Sequence, residues 1–245
     1  MNEPQAAQPQ RKQKEFNKAM ERYHNDTRYA LVYRWVSFFN VSMQVLLFFV
    51  AISLDVPWFG VGVSLFIAYF ITDFVNGLVH MYMDNNANYT SLWGPFIASF
   101  HLHHKTQKYK ESNIFSIYFY ESGPKFWLVI YLSIVGWLSF TALAPMLMMI
   151  LIMVGILSSV AEVSHYLCHN ATSPLVAVLQ KYRILLPMSH HKEHHEKDNV
   201  GYAFLNGMSD VLIDKIAAKL YAGYQQNTDR HFENYEGVGT SNREG

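Results

Sequence analysis

Cysteine is almost absent. Cys168 is the only one in 245 residues, so no intrachain disulfide can form and no cysteine-rich zinc module can be built. Metal binding, if there is any, falls to histidine and carboxylate. Net charge is lacking too, with Lys+Arg and Asp+Glu balanced at 19 each. No basic stripe with interleaved aromatics runs along the chain, so nothing marks nucleic acid as a partner. The N-terminal MNEPQAAQPQRKQKEFNKAM has no apolar run after its basic residues, and no cleavable secretory signal is expected there. No internal repeat is visible.

Positive charge is missing from two long stretches. Every Lys and Arg lies in residues 11 to 34, 105 to 125 or 181 to 243. Apolar residues fill the gaps: the chain is 51% hydrophobic and 16% aromatic, yet its mean hydropathy is only +0.02, so apolar and polar residues are segregated along it. That pattern indicates a membrane protein. Apolar runs over about 35–54, 61–79, 126–143 and 145–161 predict four spans in two hairpins, the first turned by Asp55–Gly60. Both hairpin turns lack positive charge. The N-terminal segment, the central segment and the C-terminal tail are therefore expected on the cytoplasmic side. A bacterial inner membrane and the endoplasmic reticulum fit this rule equally. The fold expected is an all-α integral membrane bundle of about four transmembrane helices with a cytoplasmic histidine-rich cap. The apolar LWGPFIASF before His101 is too short to cross and is expected in the interface.

What the chain has in excess is histidine, 12 in all. His190-His191-Lys192-Glu193-His194-His195 places its imidazoles at i,i+3 and i,i+4 offsets, which share a helix face. His101, His103 and His104 form a second cluster. Asp73, Gly77, His80 and Asp84 fall within an arc of roughly 60° on the second predicted span, and Glu162, His165 and His169 do so at the end of the fourth. The topology puts His80, His165 and His169 on the same membrane face as both clusters. His24 and His231 are read as solvated. Ionisable groups inside spans are costly and mark function. At least eight converging nitrogens exceed what one ion of four to six ligands can use, so two metals are expected. For redox chemistry beside apolar helices the economical choice is iron, activating O₂ against an unactivated hydrocarbon chain. A zinc hydrolase needs fewer ligands and an open position for water.

The blocks Asp73-Phe74-x-x-Gly77-Leu78-Val79-His80-x-x-x-Asp84, Phe100-x-x-His103-His104, His165-x-x-x-His169, and Leu179-Gln180 followed by Leu185-Leu186-Pro187-x-x-His190-His191-x-x-His194-His195 together resemble the Kua-type lipid desaturase family. The family includes plasmanylethanolamine desaturases and plant phosphatidylglycerol desaturases, and the likeness covers about residues 60 to 220. The resemblance implies an integral membrane, O₂-dependent enzyme with two non-haem irons that puts a double bond into a lipid chain. It also implies an electron donor of the cytochrome b5 or ferredoxin type. Matched by position, His80, His103, His104, His165, His169, His190, His191, His194 and His195 are the metal-ligand candidates. Asp73 and Asp84 would orient imidazoles through their second nitrogen. Glu162 and Asp210 are further acidic candidates around the ligands, with direct ligation, a supporting hydrogen bond or helix pairing all open for Glu162.

Three positions depart from the family pattern: His101 stands where arginine is usual, Lys105-Thr106 where Asp-Pro is common, and Asp210 where the family has asparagine. The domain reading is a polar segment 1–28, a membrane desaturase domain 29–224 and a polar tail 225–245. Plasmalogen-type vinyl-ether formation is the leading reaction and acyl desaturation the next. A lipid hydroxylase on the same core is the alternative enzyme. A histidine-based metal-handling membrane protein and a b-type haem protein are the readings from other classes.

Overall fold

The computed structural model describes residues 7–105, 112–170 and 173–227. Part of the central basic segment and the tail from residue 228, with His231, lie outside the described residues. Among those described, regular structure is helical throughout. In order come α1 (Ala7–Asn25), α2 (Thr27–Ser53), α3 (Trp58–Asp84), α4 (Gly94–Lys105), α5 (Ile114–Tyr120), α6 (Phe126–Leu138), α7 (Pro145–Asn170), α8 (Pro174–Lys181), α9 (Met188–Glu196) and α10 (Asp210–Leu220).

Three helices, α2, α3 and α7, have 26 or 27 residues and are long and apolar enough to cross a membrane. At about 1.5 Å per residue each reaches roughly 40 Å, more than a hydrocarbon core of about 30 Å. The run expected as the third span behaves differently. Helix α6 stops at Leu138, so its 13 residues reach only about 20 Å. Just past that point Ser139 Oγ donates to Gly136 O and Thr141 Oγ1 to Leu138 O, each at 2.7 Å. Hydroxyls that take up carbonyls in this way offer the backbone a turn in place of another helical turn, and Pro145 then opens α7.

Two compact units are built from this chain. The larger comprises 32–81 and the described residues from 112 to 227. Its main apolar core joins Leu47 and Ala51 of α2, Leu128, Leu132 and Val135 of α6, and Met148, Met149 and Ile152 of α7. Its polarity is inverted: Asn40, Gln44, Thr72, Asp73, Asn76, Ser158 and Ser159 are buried, while Phe38, Phe49, Phe66, Ile130 and Trp137 are exposed. Such a surface suits lipid better than water.

The smaller unit comprises the described residues up to 31 and 82–105. Here α1 buries Phe16, Ala19 and Met20 against Tyr89, Ile97 and Ala98. The stretch before His101, expected in the membrane interface, is thus packed: Phe96, Ile97 and Ala98 are all buried. A helix that looks polar overall can be docked through one apolar edge, and α1 is such a helix.

Candidate metal centre

Helix α7 carries His165 and His169, and α9 carries His191 and His195, each pair one turn apart. Two tethers set these helices face to face. The Ser164 hydroxyl donates to Leu205 O at 2.6 Å and accepts from Leu186 N–H at 2.9 Å, which fixes the chain on either side of α9 to α7. Pro187 caps α9, its carbonyl accepting from the N–H groups of His190 and His191.

The four Nε2 atoms meet as a result. His191 Nε2 lies 2.9 Å from that of His165 and 2.8 Å from those of His169 and His195, while the His165 and His169 atoms are 3.3 Å apart. Hydrogen bonds cannot account for this arrangement. A neutral imidazole has one proton for its two nitrogens, and here one nitrogen faces three others. A metal can account for it, because ligands at about 2.1 Å around one ion are about 3.0 to 3.4 Å from one another in octahedral or tetrahedral geometry. The four ligand atoms all lie within 4.8 Å of one another. His191 is 2% exposed. Burial, and after it the neighbouring imidazoles, lower its pKa well below the usual histidine value, so it is neutral and able to offer a lone pair.

In the same unit His80 and His194 stand edge to face with ring centroids 4.6 Å apart. Each commits Nδ1 to a backbone carbonyl at 2.8 Å, His80 to Tyr202 O and His194 to Val200 O. Donating from Nδ1 leaves the lone pair on Nε2, the tautomer that a metal takes. The loop supplying those carbonyls approaches α3 at Gly77, where a Cβ would come within 3.1 Å of the Ala203 backbone and 2.4 Å of the Ile213 side chain. The ring of His80 is 6.5 Å from that of His165.

The smaller unit holds His103 and His104, rings 4.4 Å apart. His103 Nδ1 contacts Phe100 O at 2.5 Å, and His104 Nε2 is 3.2 Å from Asp84 Oδ1. His101 spends both nitrogens on protein, Nδ1 on the Tyr89 hydroxyl at 2.7 Å and Nε2 on Met83 O at 2.8 Å.

The other acidic candidates have separate partners. Asp73 holds the loop after His194 through Oδ1, which accepts from the N–H groups of Leu205, Asn206 and Gly207, and Oδ2, which accepts from the N–H and hydroxyl of Ser209. These bonds position the loop backbone, where the sequence reading had Asp73 orienting an imidazole. Asp210 Oδ2 lies 2.6 Å from His190 Nε2, and this hydrogen bond raises the His190 pKa. His190 therefore sits on Asp210, apart from the four-nitrogen group. Glu162 pairs with Lys125 at 2.9 Å, the lysine buried and the glutamate half-buried.

Some contributors were missed in the sequence. Lys125 reads there as one more cytoplasmic cation, and only its place next to an apolar run hints at burial. Ser164 precedes the first histidine of its motif but bears no other signal. The backbone acceptors of Val200 and Tyr202 carry none.

No curated protein and no solved structure matches the chain. A family model described as the lipid desaturase domain matches residues 69–222. That match takes in α7, α9 and every histidine of the ligand pattern and covers more than half of the chain, so the protein belongs to the Kua-type lipid desaturase family.

Proposed function

We propose that this lipid desaturase is a membrane enzyme with two non-haem irons that removes two hydrogens from a lipid alkyl or acyl chain. The leading case is a 1-alkyl phospholipid converted to a vinyl ether, as in plasmalogen formation. The observation that carries the reading is the convergence of four Nε2 atoms from His165, His169, His191 and His195. The remaining ligand candidates are His80 and His194 in the larger unit and His103 and His104 in the smaller, while Asp210 holds His190 apart from the four-nitrogen group. The balance is R–CH₂–CH₂–R′ + O₂ + 2e⁻ + 2H⁺ → R–CH=CH–R′ + 2H₂O, with the electrons from a cytochrome b5 or ferredoxin-type donor. Bound iron would supply the O₂ activation.

The chain's own residues do the rest. Val200 and Tyr202 carbonyls hold His194 and His80 with their lone pairs turned away from the loop. Burial of His165 and His191 keeps water from the ligand atoms. The exposed apolar faces of α2, α3 and α6 suit an enzyme embedded among its lipid substrates, and the Lys and Arg positions support termini on the cytoplasmic side.

Metal analysis of the purified protein together with lipid mass spectrometry of an expressing strain tests the proposal. Expected are close to two irons per chain, no haem Soret band, and a lipid that has lost two hydrogens. A product that has instead gained one oxygen would establish the hydroxylase. One zinc and unchanged lipids in the presence of O₂ and reductant would remove the reading.

A further inference from the structure

Helix α8 buries none of its residues. Leu175, Val178 and Tyr182 are 67%, 49% and 68% exposed. At about 100° per residue they fall on one stripe some 60° wide. Val176, Leu179 and Gln180 are half-buried on another side, so the stripe is the side turned away from the protein. At the end of the helix Lys181 reaches over the Tyr182 ring, its Nζ 5.8 Å from the centroid. Arg183 follows in the left-handed region at φ 52°, a conformation that a non-glycine residue seldom adopts. It turns the chain so that Leu186 is fully buried against α7.

Two observations place this stripe beside lipid. Three residues separate α8 from the end of α7, a tether of at most about 14 Å from Asn170 to Pro174. On its other side, the Tyr69 hydroxyl donates to Ile184 O. Tyr69 lies in the apolar part of α3 between Phe66 and Phe70, 69% and 38% exposed. It is 11 residues before His80, or about 16 Å along the helix axis. The exit of α8 is therefore fastened at the level of the apolar band, and its stripe continues that band.

We propose that α8 lies in the cytoplasmic leaflet against anionic lipid, with Leu175, Val178 and Tyr182 in the acyl region and Lys181 and Arg183 reaching up along their stems to the phosphates. The proposal rests on the membrane reading above. Tyrosine and a basic pair at the end of an apolar stripe have the amphipathic form that settles at the headgroup level. A protein partner would bury the apolar stripe but leave the fastening of Ile184 to an apolar helix without purpose. Six residues separate α8 from α9, so docking of α8 also limits how far α9 can shift along α7.

The test uses the full chain in nanodiscs of phosphatidylcholine with phosphatidylglycerol, spin-labelled at single introduced cysteines. Cys168 is buried and does not compete for label. Labels at Leu175→Cys and Val178→Cys should collide more with O₂ than with a water-soluble nickel chelate. Labels at Ala177→Cys, on the other side of the same helix, and at Glu196→Cys should show the reverse. Adding Lys181→Gln and Arg183→Gln should raise chelate access at 178 several-fold, as should discs of phosphatidylcholine alone.

A label at 178 as open to chelate as that at 196, while Phe49→Cys in α2 stays oxygen-accessible, would overturn the docking and leave the spanning helices standing. A label at 178 shielded from both reagents would mean that protein covers the stripe, and would overturn it equally. Chelate access at 49 as well would show that the membrane reading itself is what failed.

Discussion

Two groups of buried polar side chains lie within the larger unit, and their hydrogen bonding differs in kind. Around Lys125 every donor meets an acceptor: its ammonium donates to Glu162 Oε1 at 2.9 Å, to Ser158 O at 2.7 Å and to Asn76 Oδ1. Gln44 is matched as fully, its amide donating to Gly155 O and Ser159 Oγ while its carbonyl accepts from the Tyr118 hydroxyl. Three protons on an ammonium have three acceptors, and the network is complete as protein alone. Around His191 the count fails. One Nε2 faces three others, and its Nδ1 has no hydrogen-bond partner among the described residues. Both groups are costly to bury. The first offsets that cost with its own contacts, whereas the second is shaped for a cation from outside.

The two should respond differently to mutation. His191→Ala removes the nitrogen central to the group, and on the function proposed above the largest effect expected is loss of bound metal and of all lipid product, read by metal analysis and mass spectrometry. Metal content and turnover unchanged in that variant would erase the distinction. Lys125→Met should instead spare metal affinity in the folded fraction but strand Glu162. Removing one partner of a buried ion pair costs about 3–5 kcal/mol, visible in thermal unfolding, and Lys125→Met with Glu162→Gln should regain most of it.

Asp73→Asn keeps the shape but turns an amide N–H₂ toward backbone donors. A loss of about 2–3 kcal/mol is expected in the same unfolding measurement.

The smallest effect concerns pH. Burial raises the Asp214 pKa to about 6 even though it accepts from Gly201 N–H. An acid whose folded pKa lies above its unfolded value of 3.8 binds its proton more tightly when folded. Its contribution therefore favours folding below pH 4 and turns progressively against it up to about pH 6. Asp214→Asn should flatten the stability profile across that window, measured against the parent chain.

The ligand pattern was legible in the sequence because helical offsets are fixed by geometry: His165 and His169, and His191 and His195, share faces whatever surrounds them. The order and spacing of the motif blocks were legible too, and they led to the lipid desaturase family. Long-range partners were not legible. Nothing near Asp73 says that it will hold a loop more than 130 residues later, and nothing near Lys125 distinguishes a cytoplasmic cation from one drawn into the bundle to meet Glu162. The third apolar run was also misleading. Hydropathy counts Ser139 and Thr141 as small interruptions, yet their hydroxyls end α6 after 13 residues. His190 illustrates the limit of spacing: it shares the motif of its neighbours, but Asp210 holds it elsewhere.

Asp73 also has a consequence in time. Its partners at Leu205 to Ser209 lie 132 to 136 positions further along the chain. A ribosome adding roughly 5–20 residues per second needs on the order of ten seconds to reach them. During that interval α3 has been made with a carboxylate whose five acceptor contacts do not yet exist. Biosynthesis thus leaves the middle of an apolar helix waiting for a late loop, and a chain that terminates before residue 205 never completes it. Nascent chains stopped just before and just after that loop should differ sharply in how readily a membrane protease degrades them.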